Sequence, residues 1–90
     1  MRISDKEIKA LLTIARRILV KINKHSFKDL YDEDSEYFDV KDVMDYGSFS
    51  LEDAKDLMLG LYDKKMINQN LMGWYLTKRG KDAVMELKKL

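Results

Sequence analysis

Ile8, Leu11, Leu12, Ala15, Ile18, Leu19 and Ile22 follow one another at spacings of 3, 1, 3, 3, 1 and 3, which keeps them on one face of a helix. Ser4, with Glu7 three residues on, matches a capping box, in which the serine oxygen and the glutamate carboxylate each satisfy a free backbone N–H. The pattern predicts a helix from Asp5 to about Lys24, roughly 30 Å long at 1.5 Å per residue and long enough for its far end to project from a small core. Lys21, Lys24 and His25 suit the negative pole of its dipole. Phe27, Leu30 and Tyr31 then suggest a short turn of helix before Asp32-Glu33-Asp34-Ser35-Glu36 interrupts any apolar face.

Val40, Val43 and Met44 predict a second, short helix, with Gly47 as the left-handed residue that ends it. Ser50 is a good N-cap, and Leu51, Ala54, Leu57, Met58, Leu61 and Tyr62 form the inward stripe of a third helix reaching about Lys65. Met66-Ile67-Asn68 and Trp74-Tyr75-Leu76, set around the turn-prone Asn70 and Gly73, predict a small β-hairpin. Thr77 caps a last helix through Lys89, with Ala83, Val84, Leu87 and Leu90 facing inward, although Gly80 weakens its first turn. The fold class is therefore mainly α with a small β-hairpin.

Ninety residues leave room for one domain. With 46% hydrophobic and 37% charged residues, the chain is too apolar for disorder and too interrupted by charge to cross a bilayer, so no membrane partner is expected. Arg2, Asp5, Lys6 and Glu7 give the start no resemblance to a secretory leader, and the expected location is the cytoplasm. The chain has no cysteine and a single histidine, His25, which excludes disulfides, thiolate metal sites and a multi-histidine site within one subunit. Charge alternates along the chain. Residues 1–30 carry eight Lys/Arg against three Asp/Glu, residues 31–63 two against eleven, and residues 64–90 seven against two. Such an order either draws the parts together within the fold or presents a dipolar surface to a charged partner.

Helix, tight turn, helix, hairpin and closing helix is the order of a winged helix-turn-helix, and Asp39 to Leu90 resembles one. Gly73-Trp74-Tyr75-Leu76-Thr77-Lys78-Arg79-Gly80 is similar to the strand, wing and Tyr-x-Leu-Thr-x-x-Gly ending of MarR-like and PadR-like regulators. The resemblance implies one winged-helix domain with a long N-terminal helix: residues 1–38 form that helix and an acidic loop, and residues 39–90 the helix-turn-helix, wing and closing helix. Residues 26–38 do not match the pattern. The connection Gln69 to Gly73 is short and uncharged where a DNA-contacting wing carries lysine or arginine. The turn at Gly47 to Ser50 is one residue longer than the tightest version.

A small DNA-associated regulator is the function this resemblance implies, with double-stranded DNA held by Lys64, Lys65, Lys78, Arg79 and Lys81, which flank the hairpin. Arg16, Arg17, Lys21 and Lys24 offer a second basic set, and both sets also read as ordinary solvated surface. Of the third helix's outward residues Glu52, Asp53, Lys55, Asp56 and Asp63, four are acidic, and carboxylates are repelled by the phosphates that flank a major groove. The alternative is a winged helix used for protein contact, with Glu52, Asp53, Asp56, Asp63 and the acidic loop meeting a basic partner. A homodimer is expected from the apolar faces of the first and last helices.

Asp32, Asp34 and Glu36 alternate like the start of a calcium loop, but Tyr37 stands where that loop needs glycine and Val43 where it needs glutamate, so they read as a solvated loop. Trp74 is expected in the core, since adjacent strand residues point to opposite faces and one of Trp74 and Tyr75 must turn inward. His25 reads as a capping or surface residue. Neither a nucleophile motif nor a glycine-rich phosphate loop is present. No enzyme and no cofactor is expected.

Overall fold

The computed structural model describes residues 3–32 and 36–88. Helix α1 (Asp5–Lys21) is followed by a 3-10 turn (Phe27–Tyr31), then α2 (Val40–Gly47), α3 (Leu51–Asp63), a hairpin of β1 (Ile67–Asn70) and β2 (Gly73–Leu76), and α4 (Lys78–Lys88). The fold is thus mainly helical with a small antiparallel hairpin, as the hydrophobic pattern predicts. Among the described residues no helix is long and apolar enough to cross a membrane. Asp34, and with it part of the calcium-like alternation, lies outside the described residues, as does Leu90.

α1 is the hub. Its stripe of Ala10, Leu11, Ile14, Ala15, Ile18 and Leu19 is buried beneath α2, α3, α4 and the 3-10 turn. Ser4 caps it as expected: the Glu7 N–H donates to Ser4 Oγ at 3.1 Å and the Ser4 N–H donates to Glu7 Oε1 at 2.9 Å. Its far end does not project to Lys24. Asn23 turns left-handed at φ 59, and the N–H groups of Asn23 and Lys24 return to the Val20 and Leu19 carbonyls at 3.1 and 2.9 Å. This backbone closure ends the helix at Lys21. Val84 of α4 is buried, with Ala83 and Leu87 packed on the same core. Of the apolar faces on which a homodimer is expected, most of the described residues thus pack wholly or partly on the core of the chain itself.

The hairpin pairs Ile67 with Leu76, Asn68 with Tyr75, Gln69 with Trp74 and Asn70 with Gly73. Ile67 and Leu76 are buried, anchoring its base. A third segment joins it, for Phe38 lies antiparallel to Trp74 and donates its N–H to the Trp74 carbonyl at 2.9 Å. The stretch just before α2 thus covers one edge of the sheet, a pairing the sequence pattern does not predict. Trp74 is only part-buried, packed against the core from its margin. His25 is exposed.

Gly47 and Gly80 each serve a close approach. Gly47 is helical, and the left-handed residue ending α2 is Ser48, at φ 58. Gly47 lies under the Phe49 ring, which a Cβ would meet at 2.6 Å; the packing, not the turn, requires glycine there. At Gly80 a Cβ would overlap the Met66 carbonyl oxygen. Thr77 caps α4 beside it, accepting the Gly80 N–H at 3.0 Å and donating its hydroxyl to the Lys65 carbonyl at 2.6 Å. Gly80→Ala should lower stability by about 1–3 kcal/mol, because overpacking against a fixed carbonyl outweighs the gain of about 1 kcal/mol in helix propensity. Urea unfolding of the two proteins measures this, and an alanine variant as stable as the parent would refute the close contact.

Candidate interaction face on the third helix

α3 is positioned by its buried residues Ala54, Leu57, Met58 and Leu61, and Ser50 fixes its start by accepting the Asp53 N–H at 3.1 Å. At about 3.6 residues per turn, Glu52, Asp56, Leu59 and Asp63 fall on one stripe opposite that core. Every one of them is exposed, as is Asp53 on its flank. Leu51 and Tyr62, expected to point inward, lie at the margins of the buried face and are 46% and 43% exposed. Their angle on the helix takes them away from its centre.

This stripe carries costs that the fold does not require. Glu52, Asp53, Asp56 and Asp63 form no ion pair with any described residue. Like charges four apart, such as Glu52 and Asp56, destabilise a helix by roughly 0.2–0.5 kcal/mol. Glu52 and Asp53 recover something at the positive pole of α3, but Asp63 is its last residue and faces the negative pole. In the middle of the acids sits Leu59, 55% exposed. A groove of about 290 Å3 opens beside it, lined by Val40, Lys55, Met58, Leu59 and Trp74. Tyr62 stands edge-on to Trp74, with the ring centroids 5.8 Å apart. At the hairpin tip Leu71 and Met72 are 106% and 74% exposed, giving the connection an apolar end.

The basic residues expected to hold DNA differ in how far the fold engages them. The Lys64 ammonium is 2.8 Å from Glu7 Oε2, a contact reached across Gly60, where a Cβ would overlap that carboxylate. Lys81 is buried. Lys78 is exposed but pairs with Asp82 one turn along α4, at 3.2 Å. Lys65 and Arg79 remain exposed and without an ion pair among the described residues. The second basic set is similarly engaged. Arg17 Nε and Lys21 Nζ reach the two oxygens of Asp42 at 2.9 and 3.1 Å, Lys21 also donates to the Tyr37 carbonyl at 2.7 Å, and Arg17 lies over the Tyr46 ring, 4.4 Å from its centroid. Arg16 and Lys24 are exposed.

The sequence reading passes over Asp42 and Leu59, and it reads Glu7 as a helix cap without its pairing to Lys64. The Lys64 hydrogen bond, with the Ser4 backbone N–H, holds the Glu7 carboxyl below its ordinary value. Burial alone would raise Asp42, but hydrogen bonds from Arg17, the Asp39 N–H and Lys21 outweigh it and leave that carboxyl below its ordinary value too. Leu59 does have a sequence signal, since it falls midway between Asp56 and Asp63 on the outward stripe. Among the described residues no group of three or more His, Asp or Glu side chains is placed to hold a metal ion.

The chain matches no model of a known protein family, no curated protein and no solved structure. Its reading therefore rests on its own residues.

Because the Glu7 carboxyl titrates lower in the folded protein than its ordinary 4.5, its stabilisation is complete above that pH and drains away as pH falls through the folded value. Glu7→Gln should lower stability at pH 7 by about 1 kcal/mol, a figure reduced for the partial exposure of Lys64. The gap between the two proteins should close on acidification below 4.5. Denaturant midpoints measured across that range test the point; a gap independent of pH would mean that the ion pair contributes nothing.

Proposed function

We propose that this protein is a winged-helix module that works by protein contact, presenting the outer stripe of α3 to a basic partner. The winged-helix reading is supported by the element order, in which α1, the Phe38 segment, α2, α3, the hairpin and α4 follow in turn. The observation that carries the function is the exposed, unpaired stripe of Glu52, Asp56 and Asp63 around Leu59. In a DNA-reading winged helix the same surface would enter a groove bordered by phosphates, where each carboxylate is repelled and counterion release needs lysine or arginine. Here Lys64, Lys81, Arg17 and Lys21 are engaged or buried within the fold, and the hairpin tip offers Leu71 and Met72 in place of cations. Low-dielectric contact with lysine or arginine on another protein would relieve the repulsion along α3 and cover the exposed leucine.

Fluorescence anisotropy tests this with two labelled probes, a random DNA duplex and a lysine- and arginine-rich peptide, each titrated at low and moderate salt. The peptide should bind, weaken with salt, and lose its affinity when Glu52, Asp56 and Asp63 are all changed to lysine; the duplex should not bind at moderate salt. Duplex binding that survives this reversal and disappears in a Lys65→Glu, Arg79→Glu double variant would overturn the proposal in favour of a DNA-associated regulator.

A further inference from the structure

We infer that the groove beside Leu59 is an anchor pocket, and that the partner is a basic amphipathic segment of another protein which places one large apolar side chain in it. This rests on the protein-contact reading above and adds what charge alone does not supply, a position and an orientation. The walls come from three elements: Val40 at the start of α2, Lys55, Met58 and Leu59 of α3, and Trp74 of β2. At about 290 Å3 the space lies at the lower edge of ligand sites, which run from about 300 to 1,000 Å3. It suits a side chain more than a whole small molecule.

Its composition is that of an interface centre. Trp74, with Tyr62 set edge-on against it, supplies the two aromatic types most enriched among residues that dominate binding energy. Beyond Leu59 the apolar surface borders the acidic stripe of Glu52, Asp56 and Asp63, a layout in which a buried anchor gives affinity and charges at its margin give selection and rate. Charge complementarity chooses the occupant. Lys55 is the one cation on α3, against Glu52, Asp53, Asp56 and Asp63, so a second copy laid face to face would bring acid against acid. Lysine or arginine flanking the anchor meets Glu52 and Asp56 on one side of Leu59 and Asp63 on the other.

Trp74 is the only tryptophan in the sequence, so its emission reports on the groove. The full chain is used to select from a random peptide library displayed on phage. Enriched peptides are then synthesised and titrated against the protein by Trp74 fluorescence. The expected result is a shared large apolar residue flanked by lysine or arginine, a change in Trp74 emission on binding, and a loss of about ten-fold or more when that residue becomes alanine. Leu59→Ser should weaken binding comparably while leaving the thermal unfolding midpoint in place, since the side chain is 55% exposed. Basic peptides that enrich without a common apolar residue, and that bind Leu59→Ser unchanged but not the triple lysine variant, would overturn the anchor while sparing the charged face. Absence of any basic enrichment would sink both. Concentration-dependent self-association in sedimentation, removed by Leu59→Ser, would give the groove to a second copy and overturn the inference.

Discussion

The Glu7 carboxylate joins the two helices whose relation sets the rest of the fold. One oxygen accepts the Ser4 N–H and so closes the start of α1; the other receives Lys64 from the end of α3. Gly60 makes the approach possible, because any side chain at that point of α3 would collide with the carboxylate. At the opposite end of α1, Arg17 and Lys21 hold Asp42, which also caps α2 by accepting the Asp39 N–H at 2.9 Å. α1 is therefore gripped near its start by α3 and near its finish by α2. Between the two grips the apolar stripe supplies most of the burial energy, and the ion pairs fix where along α1 that burial occurs.

The alternation of charge along the chain acquires a meaning from these grips. Basic residues of the first and last thirds meet acids elsewhere in the fold: Arg17 and Lys21 on Asp42, and Lys64 on Glu7. Attraction within the fold accounts for these members of the two basic sets, and it removes them from the pool available for phosphate contact. The acids of the middle third are more numerous than their intramolecular partners, and four of them, Glu52, Asp53, Asp56 and Asp63, stand exposed on α3. Asp32, Asp39 and Asp45 are exposed elsewhere, and on α3 the acids left without ion pairs line up as one stripe.

Local features were legible in the sequence and long-range ones were not, for physical reasons that particular residues make clear. The capping box of Ser4 and Glu7 involves positions three apart and can be read directly; the contact from Glu7 to Lys64 spans 57 positions and exists only once α1 lies against α3. The helical spacing of the apolar residues locates all four helices, yet it places Leu51 and Tyr62 inward because a stripe has no sharp edge until its neighbours are known. Gly47 invites a left-handed reading since glycine tolerates that conformation, whereas its use here is to admit the Phe49 ring. Strand alternation assigns Trp74 to the core, and it does turn toward α3, but it stops at the margin and becomes a wall of the groove. The Phe38 pairing escapes prediction because one residue bridging a sheet leaves no periodic trace.

Departures from local stability rules are most informative where they gather. Elsewhere among the described residues every buried side-chain polar atom has a hydrogen-bond partner, α1 and α2 both begin with complete capping boxes, and α1 carries acids at its start and a lysine in its last turn. α3 obeys these rules on its buried side and breaks them on its outer one, with like charges a turn apart, an acid at its negative pole and a leucine in water. On α3 these small penalties share one stripe, beside a groove with an aromatic wall, where a bound partner would offset them. The same stripe would be a poor surface for a phosphate backbone and a sound one for a cationic segment that brings its own apolar side chain to cover Leu59.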